Sequence, residues 1–206
     1  MQSSEQIAPV VRFVLMLKKI QQVRNHYKQY ILGGDGVPIS LKDLMWVIGD
    51  MYDIKVSIYE VDYVGEFTRG LIERYADRAR ILIRAGIHER LRKFVVAKEL
   101  SHIIIDERED WSPLGSETIR KAMIERASLT ELHRLSPSTM SETYAHAAAI
   151  ELLYPLEYRE DDAVKLQNGE LTLQELADHY QIPPFLIEHA LGPSLKIVIE
   201  LSRLSA

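Results

Sequence analysis

Apolar residues recur at helical spacing along most of the chain. This spacing predicts one helix from Ser4, the expected N-cap, to Tyr30. It predicts a second helix that is capped by Ser40 and ends at about Tyr52. The same spacing predicts helices in the second half of the chain at His88–Ile105, Ser116–Leu129, Ser138–Leu153 and Leu156–Leu166, with two or three short ones between Leu171 and Leu204.

Strand-like patterns occur only between the second helix and His88. Ile54–Tyr59 alternates between apolar and polar residues, and Thr68–Tyr75 and Ala79–Arg84 are separated by a short turn that predicts a hairpin. Two helices, a small sheet and then mostly helices predict an α+β fold. We expect the sheet to be antiparallel.

A glycine cluster at Gly33, Gly34 and Gly36 interrupts the pattern after the first helix. Glycines at such a break are typical of a hinge, so we expect an N-terminal helical arm at 1–36 and a core at 37–206. Because the first helix is apolar on one face, it either mediates homo-oligomerisation or partner docking, or folds back on the core.

Composition limits the functions open to a chain of 206 residues. A hydrophobic content of 47% and a charged content of 27% are typical of a globular protein. The net charge of −5 argues against a general nucleic-acid binder, although it leaves room for a local basic patch. We find no membrane-spanning stretch and no signal-peptide pattern, so we expect a cytoplasmic protein without a membrane partner.

Any metal site in this chain must be built from histidines and carboxylates, because the chain has no cysteine. The segment Lys98-Glu99-Leu100-Ser101-His102 differs by one residue from the zinc motif H-E-x-x-H. In that motif both histidines bind zinc from one helix face, and the glutamate acts as general base on the zinc-bound water. Lys98 stands in place of the first histidine. An ordinary solvated helix face is the alternative interpretation.

A second predicted helix supplies a further carboxylate forty residues after His102. Glu142, Ala145, Ala149 and Leu152 share one face of this helix. Because alanines allow close helix packing, we expect Glu142 to approach His102.

Together these motifs resemble those of the ImmA/IrrE group of bacterial and phage metallopeptidases. The pattern of that group is a small sheet, then R-x-x-F-x-x-A-H-E-x-x-H, then E-x-x-A-x-x-x-A-x-x-L-L-x-P. The resemblance extends from about Ile39 to Leu191 and implies a zincin-like core. The matching residues are Arg90 or Arg92, Phe94, Ala97, Glu99, His102, Glu142, Ala145, Ala149, Leu152, Leu153 and Pro155.

The resemblance implies a role for each matching residue of the site. His102 and Glu142 correspond to zinc ligands and Glu99 to the general base, whereas Lys98 replaces a ligand. An ammonium group has no lone pair to give to zinc, and deprotonating it at pH 7 costs about 4–5 kcal/mol. We therefore expect no bound cofactor, a catalytically impaired pseudo-metallopeptidase, and a Lys98 nitrogen within salt-bridge distance of Glu99 or Glu142.

One alternative keeps the metal. His146, one turn after Glu142, could join His102 and Glu142 in a rearranged zinc site, which would make the chain an active endopeptidase. Tyr144 is a second alignment for the third ligand position, and as a tyrosine it would be a poor ligand.

The spacing of apolar residues in the tail from about 170 to 192 is typical of a helix-turn-helix. No Lys or Arg occurs from Glu170 to Leu191, so we expect this segment to contact protein rather than DNA. A DNA-binding regulator is therefore the disfavoured third function.

Active members of the ImmA/IrrE group, which this chain resembles, cleave a helix-turn-helix repressor in response to stress or phage signals. The resemblance thus implies a regulatory protein whose partner is itself a protein, such as a transcriptional regulator.

Overall fold

The computed structural model describes residues 9–31, 37–62, 69–107, 137–193 and 197–198. The predicted helix Ser116–Leu129, the Ser4 cap and the glycine cluster lie outside these residues. The fold of the described residues is mixed α+β, as predicted. Its seven helices and three strands are α1 Pro9–Tyr30, α2 Leu41–Tyr52, β1 Lys55–Val61, β2 Gly70–Arg74, β3 Arg78–Arg84, α3 Glu89–Ile105, α4 Pro137–Leu153, α5 Leu156–Gln167, α6 Leu173–Tyr180 and α7 Pro184–Ala190.

The three strands form one sheet of order β1-β3-β2. β2 and β3 form the predicted antiparallel hairpin, with Ile72 opposite Ile81, whereas Ile58 of β1 pairs with Ile81 in parallel. The prediction of an antiparallel sheet was therefore wrong for β1. An alternating pattern fixes which side chains share a face, but it does not fix strand direction. The hairpin occupies one edge of β3, and β1 pairs along the other edge, parallel to β3.

The first helix packs onto the core rather than extending away from it. Met16, Ile20 and Val23 are buried in the same hydrophobic cluster as the sheet and α3. The buried Arg24 guanidinium donates to the Leu152 carbonyl at 3.2 Å and to Glu157 at 2.9 Å. Residues 9–30 thus fold back on the core, which is one of the two alternatives left open by the sequence.

Helix α3 lies at the centre of the molecule, packed against α4, both β2 and β3, α2 and α1. Its last thirteen residues are buried except Lys98, so three of its sides meet other elements. No helix of the described residues is long and apolar enough to cross a membrane.

A buried lysine, Lys93, and an ion pair between Arg90 and Asp178 connect α3 to the helix pair α6–α7. Lys93 Nζ donates to the Tyr180 carbonyl at 3.1 Å and lies 3.4 Å from Gln181 Oε1. Gln181 adopts a left-handed conformation, with φ of 56°, which ends α6 and turns the chain towards α7. Burial lowers the pKa of Lys93 to about 8, with Glu89 opposing the shift.

We expect Lys93 to make stability depend on pH between about 8 and 10.5. In this range the unfolded chain binds the proton and the folded chain does not, so the free energy of unfolding rises with pH. The gain is about 3 kcal/mol across the range. Urea unfolding at several pH values measures it, with Lys93→Met as the reference that lacks this proton. Parallel curves for the two proteins would contradict the prediction.

Candidate functional site

Helices α3 and α4 run antiparallel and bring the predicted site residues together. His102 lies beside Ser141, Lys98 beside Glu142, and Phe94 beside His146, so positions advance along one helix as they recede along the other. Ala145 and Ala149 are fully buried where the helices meet. Their small side chains permit the close approach that the sequence predicted.

The Lys98 ammonium lies between two carboxylates. Its Nζ is 3.0 Å from Glu99 Oε1 and donates a hydrogen bond to Glu142 Oε2 at 2.9 Å. The predicted contact between Lys98 and these glutamates is therefore present. Burial opposes the charged form of Lys98, but the two carboxylates outweigh it and raise the pKa above its ordinary value. Lys98 is thus an ammonium ion at every physiological pH.

His102 continues this row of charges on the same helix. Its Nε2 is 3.3 Å from Glu142 Oε1 and its Nδ1 is 2.8 Å from Asp106 Oδ2. Burial opposes its protonation, but the hydrogen bonds with Asp106 and Glu142 raise its pKa to about 10. At neutral pH both ring nitrogens therefore carry protons and donate to carboxylates. Ser141 Oγ also donates to Asp106 Oδ1, at 2.7 Å.

Glu142 is the carboxylate shared by both cations. One of its oxygens meets Lys98 and the other meets His102. Burial favours its neutral form, but the His102 hydrogen bond and the Lys98 charge outweigh burial and hold its pKa well below the usual range. Two cations and three carboxylates, counting Glu99 and Asp106, thus form one connected cluster across the two helices.

The residues of this cluster do not fit zinc. A zinc ligand must offer a lone pair, and the Lys98 ammonium, which stands in the place of the first histidine, has none. Within the ranges that the structure describes, no group of three or more His, Asp or Glu side chains is arranged to hold a metal.

The two alternative ligands have other neighbours. The His146 ring meets the Phe94 ring at a centroid distance of 5.0 Å and the His189 ring at 5.6 Å. The Tyr144 ring is buried, 6.2 Å from the Phe13 ring and under the Arg12 guanidinium.

Four residues near the cluster were not predicted. Asp106 follows His102 by one helical turn, a spacing that could have identified it, and Ser141 directly precedes Glu142. Arg74 donates to the His102 carbonyl at 3.3 Å. Gly70 lies so close to α3 that a Cβ atom there would stand 2.4 Å from Val95 Cγ1 and 3.1 Å from Glu99 Oε1. Long-range contacts of this kind have no local sequence pattern.

A scan of the sequence against protein-family models finds no match. A search of curated proteins finds no similar sequence.

We expect Lys98→Met to destabilise the protein by about 3–5 kcal/mol, because it leaves the buried Glu99 carboxylate and the partly exposed Glu142 carboxylate without their shared cation. Adding Glu142→Gln should recover part of this loss, with a coupling energy of about 1–3 kcal/mol. Urea unfolding of the two single variants and the double variant measures the coupling. Lys165→Met, which breaks the exposed ion pair with Asp161, is the matched control and should cost under about 0.5 kcal/mol. Additive effects would show that the cluster is not energetically coupled.

We expect Gly70→Ala to cost about 1–3 kcal/mol, because the new methyl group overlaps Val95 and forces β2 away from α3. Val95→Ala removes the overlapping atom, so the double variant should lose less stability than the two single losses combined. Thermal unfolding of the three variants tests this. Gly70→Ala at wild-type stability would mean that β2 and α3 are not in close contact.

Proposed function

We propose that this chain is a catalytically impaired, zincin-like pseudo-metallopeptidase that acts as a regulatory protein-binding module. The observation that carries the proposal is the position of the Lys98 ammonium, 3.0 Å from Glu99 and 2.9 Å from Glu142. The resemblance to the ImmA/IrrE group assigns a metal to the place between these residues and His102. An internal cation there keeps the two helices together without a metal.

The surroundings of His102 support an inherited metal geometry over an ordinary solvated helix face. A metal-binding histidine usually donates its second ring N–H to a carboxylate, which orients the ring. His102 contacts Asp106 through Nδ1 and directs Nε2 towards Glu142. A solvated helix face would not bury its charges, yet the Glu99 side chain is only 3% exposed and that of His102 only 8%.

The same contacts support a loss of hydrolysis. Glu99 would have to accept a proton from an activated water, but its Oε1 is buried against Lys98. With no group to polarise a peptide carbonyl and no available base, the domain in this proposal binds its partner polypeptide without cleaving it. In this proposal the zincin-like domain spans 37–206 and includes the tail segment at about 170–192. Its partner is a protein such as a helix-turn-helix transcriptional regulator.

Two other functions have weaker support. An active endopeptidase with a rearranged site would need His146 to join His102 and Glu142, and would need a neutral His102. A DNA-binding regulator would read DNA through α6–α7, where no Lys or Arg occurs between Glu170 and Leu191.

Restoring the missing histidine tests the proposal. After dialysis against zinc, elemental mass spectrometry should find below about a tenth of an equivalent in the wild type and about one equivalent in Lys98→His. Lys98→Gln is the matched control, because it removes the ammonium without adding a good ligand, and it should stay near the wild-type value. His102→Ala added to Lys98→His should remove the zinc again.

Two results would overturn the proposal. Near-stoichiometric zinc in the wild type, lost in His102→Ala, would favour the active peptidase and make His146 the next residue to replace. A folded Lys98→His variant that takes up no zinc would mean that the helices do not hold a metal-site geometry.

A further inference from the structure

The face of the sheet that points away from α3 is basic. Ala79, Ile81 and Ile83 of β3 are buried on the inner side, so the alternate residues of β3 and their register partners on β1 and β2 form the opposite side, here called the outer sheet face. No residue on the outer sheet face is buried. Its charged residues are Lys55, Arg69, Arg78, Arg80, Arg84 and Glu73.

Five cations and one carboxylate thus share a surface of a chain whose net charge is −5. Glu73 compensates little of this charge, since its oxygen is 3.9 Å from the Arg80 guanidinium and both side chains are exposed. Asp77, in the turn, stands 3.6 Å from Arg78. The outer sheet face therefore carries a local excess of positive charge that the total composition hides.

The arrangement of these cations weakens the sheet. Lys55 is the direct register neighbour of Arg78, and the Arg84 amide bonds to the Arg69 carbonyl, which sets these two arginines side by side. Like charges in adjacent positions on one sheet face are destabilising. An anionic ligand would relieve this repulsion by binding between the cations. The placement of the cations therefore favours ligand binding at a cost to the stability of the sheet.

Aromatic rings lie among the cations. Tyr59 of the edge strand β1 is 48% exposed and neighbours Leu82 of the central strand β3, which gives the face a flat apolar surface between its charged ends. Tyr75 is 39% exposed, and the guanidinium groups of Arg78 and Arg80 lie 4.6 Å and 5.5 Å from its ring centroid. Aromatic and guanidinium planes both stack on nucleobases.

We propose that the outer sheet face binds single-stranded nucleic acid. The face is about 20 Å long and about 10 Å wide, from strand rise and strand spacing, which suits a few unpaired nucleotides. The arginines at its two ends contact phosphates, and bases stack on Tyr59 between them. An acidic polypeptide would match the charge, but it would leave the exposed ring without a stacking partner.

Fluorescence anisotropy with a labelled oligothymidylate twelve nucleotides long tests the proposal on the full chain. We expect the logarithm of the affinity to fall with the logarithm of salt concentration with a slope of about −3, as for four or five phosphate contacts. Arg78→Gln/Arg80→Gln should weaken binding about tenfold and reduce the magnitude of that slope by about 1.4. Tyr59→Ser should weaken binding about tenfold while leaving the slope unchanged.

The double variant Lys18→Gln/Lys42→Gln is the matched control. It removes the same charge from exposed positions on α1 and α2, outside the outer sheet face, and should bind as the wild type does. Arg78 and Arg80 contact exposed side chains, those of Asp77, Glu73 and Tyr75. Circular dichroism verifies that each variant folds. Equal weakening by the control and Arg78→Gln/Arg80→Gln would overturn the proposal, as would tighter binding of a duplex. Displacement by polyglutamate together with no effect of Tyr59→Ser would instead indicate an acidic polypeptide partner.

Discussion

An ammonium ion that is largely removed from water must be paired, and this requirement organises the centre of the molecule. Moving an isolated charge out of water costs several kcal/mol, so Lys98 is stable at the α3–α4 contact only because Glu99 and Glu142 flank it. One carboxylate comes from the same helix and the other from its neighbour. The pairing therefore fixes the position of α4 along α3, which hydrophobic contacts between alanines and isoleucines would leave less defined.

His102, the second cation of the cluster, is also held between two carboxylates. Glu142 has two oxygens, and each serves a different cation, so Lys98 and His102 are bridged by one side chain. Asp106 then holds the far side of the His102 ring, and Ser141 holds Asp106. Each member of this row restrains the next, which is the property that a metal site obtains from its ion. The cluster performs that restraint with protein charges alone.

Sequence reasoning reached α3, α4 and the contact between Lys98 and Glu142, because helical spacing and small residues are local and periodic signals. It failed where the outcome depends on distant parts of the chain. The direction of β1 is set in its pairing with β3, which follows β2 in the chain, and the role of Gly70 depends on the approach of Val95 from α3. The outer sheet face was missed for a related reason, since Lys55 and Arg78 become neighbours only through the strand register.

The two charged regions of the protein differ in whether their charge is compensated. Around Lys98, each cation lies within 3.3 Å of two carboxylates, so every positive charge of the cluster is paired. On the outer sheet face, Lys55 adjoins Arg78 and Arg69 adjoins Arg84, and the contacts of Arg80 with Glu73 and of Arg78 with Asp77 compensate only part of the positive charge. A compensated cluster holds a fold together, whereas an uncompensated one attracts a ligand. Net charge averages over both regions, so an acidic chain can carry a site for an anion.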